Sequence, residues 1–136
     1  LDRVEAPWPW RLTLDVGAHV PLHCTASGKL FLSMMSRERR TRMLGQLQLS
    51  RLTANTLTEV AALRADCERI ARDGYSVDNE EFIPGLVAVA VPVRDGSGET
   101  RAALAVHAPV ARMSLDQMRT HLPALQQAAA RMAGLL

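Results

Sequence analysis

Apolar and polar residues change rhythm several times along this chain, and each rhythm predicts an element. Trp10, Leu12, Leu14 and Val16 alternate with Arg11, Thr13 and Asp15, which predicts a half-buried strand ended by Gly17. From Gly28 to Met35 the apolar residues recur at helical spacing, with Thr25 placed to cap them. Ser36 predicts a second cap, opening a short charged helix that runs to about Leu44 and stops at Gly45. Val60, Leu63, Cys67 and Ile70 step by three and four, so one face of a longer helix is buried. Thr56 and Glu59 have the spacing of a capping box at its start, and Gly74 predicts its left-handed stop.

The second half reads as sheet followed by helix. Tyr75 to Asp78 is a short strand. Leu86 to Val93 is almost unbroken Leu, Val and Ala, the pattern of a strand covered on both faces. Asp95-Gly96 and Ser97-Gly98 predict a turn, with Thr100 to Ala108 as the returning strand of a hairpin. Ser114 and Gln117 open a final helix with an apolar stripe of Met118, Leu122, Leu125, Ala129, Met132 and Leu136. Pro123 lies inside that stripe and should kink or restart the helix. Strand, helices, strand and hairpin, then helix make an α+β domain with an antiparallel sheet.

Composition narrows the function classes. The chain has 136 residues, 48% hydrophobic and 22% charged, enough for one domain with a real core over residues 1–136. A net charge of +2 argues against a nucleic-acid binder acting alone. The basic run Arg37 to Arg42 reads as a solvated helix face. Two cysteines in unlike contexts do not suggest a disulfide framework, which favours a reducing, cytoplasmic setting. No stretch has the length and apolarity of a membrane span. The charged start, with no initiator Met, suggests a piece of a longer protein.

The candidate chemistry centres on Pro21 to Lys29, where hydroxyls and a glycine precede a helix and can offer free N–H groups to an anion. A nucleophilic role for Cys24 beside His23, or for Ser27, is disfavoured: adjacent side chains diverge, and no nucleophile elbow surrounds Ser27. Ala26-Ser27-Gly28-Lys29 lacks the paired glycines of a phosphate loop. His19, His23, His107 and His121 do not form a metal motif, and no metal or cofactor is expected. Asp78-Asn79-Glu80-Glu81 reads either as a solvated turn or as the rim of a pocket.

Five segments, in order, resemble the effector-binding domain of IclR-type bacterial transcription regulators, whose fold is related to GAF and profilin-like sensors. They are Pro21 to Lys29; Thr53-x-x-Thr56 with the helix Leu63 to Arg72; Gly74-Tyr75 with Asp78, Glu80 or Glu81 and Gly85; Val89 to Val93 with Asp95; and Ala103 to Val106 with Pro109 and Arg112. The resemblance covers almost the whole chain from about Val4. It implies a GAF/profilin-like antiparallel sheet with helices packed against it, and a ligand-sensing rather than enzymatic role. The resemblance also implies that the family's DNA-binding winged helix-turn-helix would lie N-terminal to this domain, outside residues 1–136.

Carried over by motif, the effector site comprises Ala26, Ser27, Gly28, Asp78, Leu86, Ala88, Ala105 and His107. Ala88 and Ala105 imply a roomier, more apolar pocket than a very small polar acid needs. His107 faces either that pocket or solvent. The implied partners are a small organic acid, a second copy of the chain in a dimer or tetramer, and operator DNA through the domain N-terminal to this one. A small α+β enzyme and a ligand-free oligomerisation module remain the alternatives.

Overall fold

The computed structural model describes residues 2–5, 7 and 16–136. The strand expected at Trp10 to Val16 falls outside the described residues except for Val16, which sits in a turn with Gly17.

Among the described residues, three helices precede the sheet in chain order and two follow it. Thr25 caps α1 (Ala26–Met34): its Oγ1 accepts the Gly28 N–H at 3.1 Å and donates to the Pro21 carbonyl at 2.7 Å. Ser36 caps α2 (Arg37–Gln46) by accepting the Arg39 N–H. The expected stop at Gly45 is not used. Gly45 lies inside α2, which ends one residue later because Leu47 turns extended. Arg37, Arg39 and Arg42 are exposed, whereas Arg40 turns inward and donates to the Ser33 carbonyl at 3.0 Å.

The helix α3 (Val60–Asp73) buries Leu63, Cys67 and Ile70 and ends on Gly74 at φ 81°. Its expected capping box does not form. Glu59 is the N-cap without a side-chain bond, because Thr56 Oγ1 is committed elsewhere: it accepts the Leu52 and Thr53 N–H groups and donates to the Glu81 carbonyl.

The sheet has the order β1 (Ser76–Asn79), β2 (Leu86–Arg94), β3 (Thr100–Pro109), antiparallel throughout. Alternation gives β2 two different faces. Val87, Val89, Val91 and Val93 pack toward the C-terminal helices with Met118, Leu122, Leu125 and Ala129. Ala88 and Ala90 pack toward α1 and α3 with Ala26, Leu30 and Ile70, joined by Ala103 and Ala105 of β3. The continuous apolar run is therefore a strand covered on both faces, as its composition predicts. Small residues on one face let α1 approach the sheet closely.

Ser114 forms the expected capping box with Gln117 at the start of α4 (Leu115–Arg119). Pro123 does restart the helix, as α5 (Leu122–Ala133), where its missing N–H costs nothing in the first turn. Leu136 does not complete the stripe; it lies beyond α5 and is 65% exposed. The result is the α+β arrangement read from the sequence, with helices on both sides of an antiparallel sheet.

Candidate functional site

The register across the sheet sets the site. Asp78 pairs with Ala88, and Ala88 pairs with His107, so these three form one row on the face toward α1. The next row is Ser76, Ala90 and Ala105, and Leu86 and Pro109 pair on the other side of the first. Ala26, Ala88 and Ala105 meet in one packed cluster between α1 and the sheet. Ser27 is half-buried on the first turn of α1.

Gly28 differs from the expectation in one respect. Its N–H is taken by Thr25 Oγ1 and cannot serve an anion. The N–H groups of Ala26 and Ser27, in the first turn of α1, have no acceptor among the described residues. Gly28 matters instead because it is small: a Cβ there would come within 2.6 Å of the Leu22 backbone.

Asp78 and Glu81 are almost fully buried, whereas Asn79 between them is exposed, so the acidic turn is solvated only on one side. The Asp78 Oδ1 accepts the Glu81 N–H at 2.7 Å, and the Phe82 N–H also favours the charged form. Burial outweighs both, and with repulsion from Glu81 it raises the carboxyl pKa to about 6. His107 is exposed by surface area yet closely surrounded by protein. The desolvation this brings lowers its pKa, so the imidazole is neutral at pH 7. Cys24 is completely buried; burial and the nearby Asp78 and Glu81 carboxyls push its thiol up to about 11. A thiol in that state is a poor nucleophile at neutral pH, which agrees with a packing role.

Residues outside the expected set hold the row in place. Lys29 is 1% exposed, and its Nζ lies 2.7 Å from Asp66 Oδ2 and 2.8 Å from Glu81 Oε1. Asp66 also accepts from Arg69. Burial raises the Asp66 pKa, but Lys29 and Arg69 outweigh it and leave the group below its ordinary value. Thr53 and Thr56 donate to the Glu80 and Glu81 carbonyls at 2.6 and 2.7 Å, and Asn55 donates to the Asn79 carbonyl. Glu80, at φ 56°, accepts the Gly85 N–H. The turn carrying Asp78 is thus tied to α1, α3 and the loop before α3. A lysine inside an otherwise apolar helical run was the one sequence signal for this cluster.

An open surface depression of about 550 Å³ lies beside the same cluster, lined by Lys29, Asn55, Asp66, Arg69, Asn79 and Glu81 among others. Ser27, Asp78 and His107 do not line it. No group of His, Cys, Asp and Glu able to hold a metal ion occurs among the described residues. Nor, among them, is any helix long and apolar enough to cross a membrane.

An antiparallel sheet with helices on both faces, and with the start of α1 and the buried Asp78 on the same side of it, makes an α+β domain. The family model described as "Bacterial transcriptional regulator IclR C-terminal" matches residues 1–133, and the chain belongs to that family. It is 43% identical to the probable transcriptional regulator SauR of Cupriavidus necator, over 95% of this chain and 51% of that protein. The IclR structure of Thermotoga maritima superposes with a TM-score of 0.90 at 28% identity, covering 99% of this chain and 55% of that one. The inducer-binding domain of Acinetobacter PobR, a double mutant in complex with 3-hydroxybenzoic acid, gives 0.81 at 30% identity. There the match covers 86% of this chain and 69% of that one. The chain spans about half the length of the curated relatives it matches.

Proposed function

We propose that residues 1–136 form a single effector-binding domain that takes up a small organic acid and, without turnover, modulates DNA binding by a winged helix-turn-helix domain N-terminal to it. The observation carrying this reading is the row Asp78–Ala88–His107 beneath the N-terminus of α1. A ligand carboxylate would meet the unpaired N–H groups of Ala26 and Ser27, where the helix dipole favours negative charge. Its body would lie on Leu86, Ala88 and Ala105, and a hydroxyl or keto group would reach Asp78 or His107. Gly28 contributes close packing of the helix start rather than a hydrogen bond.

The complex of 3-hydroxybenzoic acid with a domain 30% identical supports an aromatic acid as the ligand class. The setting is the bacterial cytoplasm. Binding acts by shifting a dimer or tetramer of this domain between two arrangements, which requires unequal affinity for the two.

Calorimetric titration with 3-hydroxybenzoate, benzoate and pyruvate tests the reading. At least one acid should bind reversibly with no product formed. Asp78→Ala and His107→Ala should each weaken it about tenfold, the scale of one lost buried hydrogen bond. Unchanged affinity in both variants and in Ser27→Ala would disprove the residue assignment.

A further inference from the structure

Asp78 is a buried carboxyl without a cation of its own. The cation that acts on it is Lys29, whose ammonium already contacts Asp66 Oδ2 at 2.7 Å and both Glu81 oxygens at 2.8 and 3.0 Å. The other groups facing Asp78 add no positive charge. Cys24, from the segment before α1, is a neutral thiol. Glu81, in the same turn, is an anion paired with Lys29. Ala88 of β2 does not titrate, and His107 of β3, beyond it in the row, is a neutral imidazole at pH 7. From α3, Arg69 is engaged by Asp66 and Asp73. The row Asp78–Ala88–His107 that would receive an organic acid therefore already holds one carboxyl group and, among the described residues, no cation of its own.

A ligand carboxylate held at the Ala26 and Ser27 N–H groups would bring a second negative charge to the face that already buries Asp78, and such repulsion favours the protonated form of one of the two acids. We propose that an anionic organic acid enters this site together with one proton from solvent, and that Asp78 carries it. The protonated Asp78 then donates its O–H toward the ligand, and the pair holds a single negative charge. The backbone N–H groups of Glu81 and Phe82 still have an acceptor in the neutral carboxyl. A carboxyl pKa already raised to about 6 puts that proton within easy reach at neutral pH. The inference rests on the ligand-binding reading above and gives it a chemical selectivity: the site takes the anion of a weak acid better in mildly acidic than in alkaline solution.

The test uses the full 136-residue chain with 3-hydroxybenzoate, benzoate and pyruvate, titrated in phosphate and in Tris buffer. These buffers differ in heat of ionisation, so the difference in binding heat counts protons. Binding should take up about one proton per ligand near pH 7.5, and affinity should fall about tenfold from pH 7 to pH 8, the linkage of one proton. Asp78→Asn keeps the acceptor for both N–H groups, so it should bind with no proton uptake and a flat pH profile. Benzamide, which is uncharged, should bind wild type, if at all, without uptake. Binding to wild type with no proton exchange would overturn the inference and leave the ligand reading standing. Uptake that persists in Asp78→Asn would also overturn it, and its loss in His107→Gln would move the proton to the imidazole. If no acid binds wild type, the ligand reading fails and takes the inference with it. If Asp78→Asn does not fold, the wild-type proton count and pH profile still decide.

Discussion

Two glycines in neighbouring helices have opposite meanings. A Cβ on Gly28 would lie 2.6 Å from Leu22 Cα, Leu22 O and Thr25 Oγ1, and two of these three atoms are backbone. Nothing there can give way cheaply, so Gly28→Ala should destabilise the fold by about 1–3 kcal/mol, the cost of overpacking. Gly45 sits in α2 with nothing within 4 Å of the same position. Gly45→Ala should therefore stabilise by about 0.5–1 kcal/mol, since alanine loses less chain entropy on folding. Urea denaturation of the two variants measures both signs in one experiment. The sequence shows that each glycine lies near a helix end, and so both read as boundary residues. It does not show that Leu22 crosses over Gly28 while nothing crosses over Gly45, because close approach between non-adjacent turns leaves no local pattern.

At the level of elements, α1 is fastened by charge as much as by its apolar face. Lys29 holds Asp66 of α3 and Glu81 of the acidic turn, with all three largely withdrawn from water. Removing one partner from such a cluster leaves uncompensated buried charge, so Lys29→Met should cost about 3–5 kcal/mol. Neutralising a carboxylate at the same time should recover part of the loss: Lys29→Met with Glu81→Gln should be less destabilised than the sum of the two single changes. A double-mutant cycle by chemical denaturation measures that coupling. Sequence periodicity located α1, α3, β2 and β3 because their apolar spacing is dictated by the same sheet and helix faces that bury them. It misassigned Thr56 as a helix cap because Thr-x-x-Glu spacing is local, whereas the Glu81 carbonyl that claims its hydroxyl is 25 residues away. The candidate site divides in the same way. Its alanines and Asp78 were named through the family resemblance and share one side of the sheet here. The clamp of Lys29, Asp66 and Thr53 around them is made of long-range contacts that no spacing announces.

For the whole molecule, the buried acids pull the dependence of stability on pH in opposite directions. Asp66 has a lowered value when folded, so its contribution is present above the ordinary carboxylate pKa and is lost as pH falls through the folded value. Asp78 is raised from 3.8 to about 6, so the folded state binds the proton more tightly than the unfolded chain. Below about pH 4 both states are protonated and Asp78 exacts no ionisation penalty; between there and about pH 6 the penalty grows, and above it is complete. A tenfold change in proton affinity is worth about 1.4 kcal/mol, so ionising Asp78 in place costs the fold on the order of 3 kcal/mol at pH 7.5. His107, lowered by desolvation, acts in the reverse sense over part of the same range, so the wild-type curve alone does not isolate Asp78. The difference between Asp78→Asn and wild type does, because His107 and Asp66 are common to both. That difference should favour the variant at pH 7.5 by up to about 3 kcal/mol and shrink steadily as pH falls toward 4. A difference that stayed constant across the range would mean that Asp78 keeps an ordinary pKa. Near neutral pH the Asp78 carboxyl therefore weakens the fold where asparagine would make the same backbone bonds, and the proposed ligand with its proton would remove that penalty.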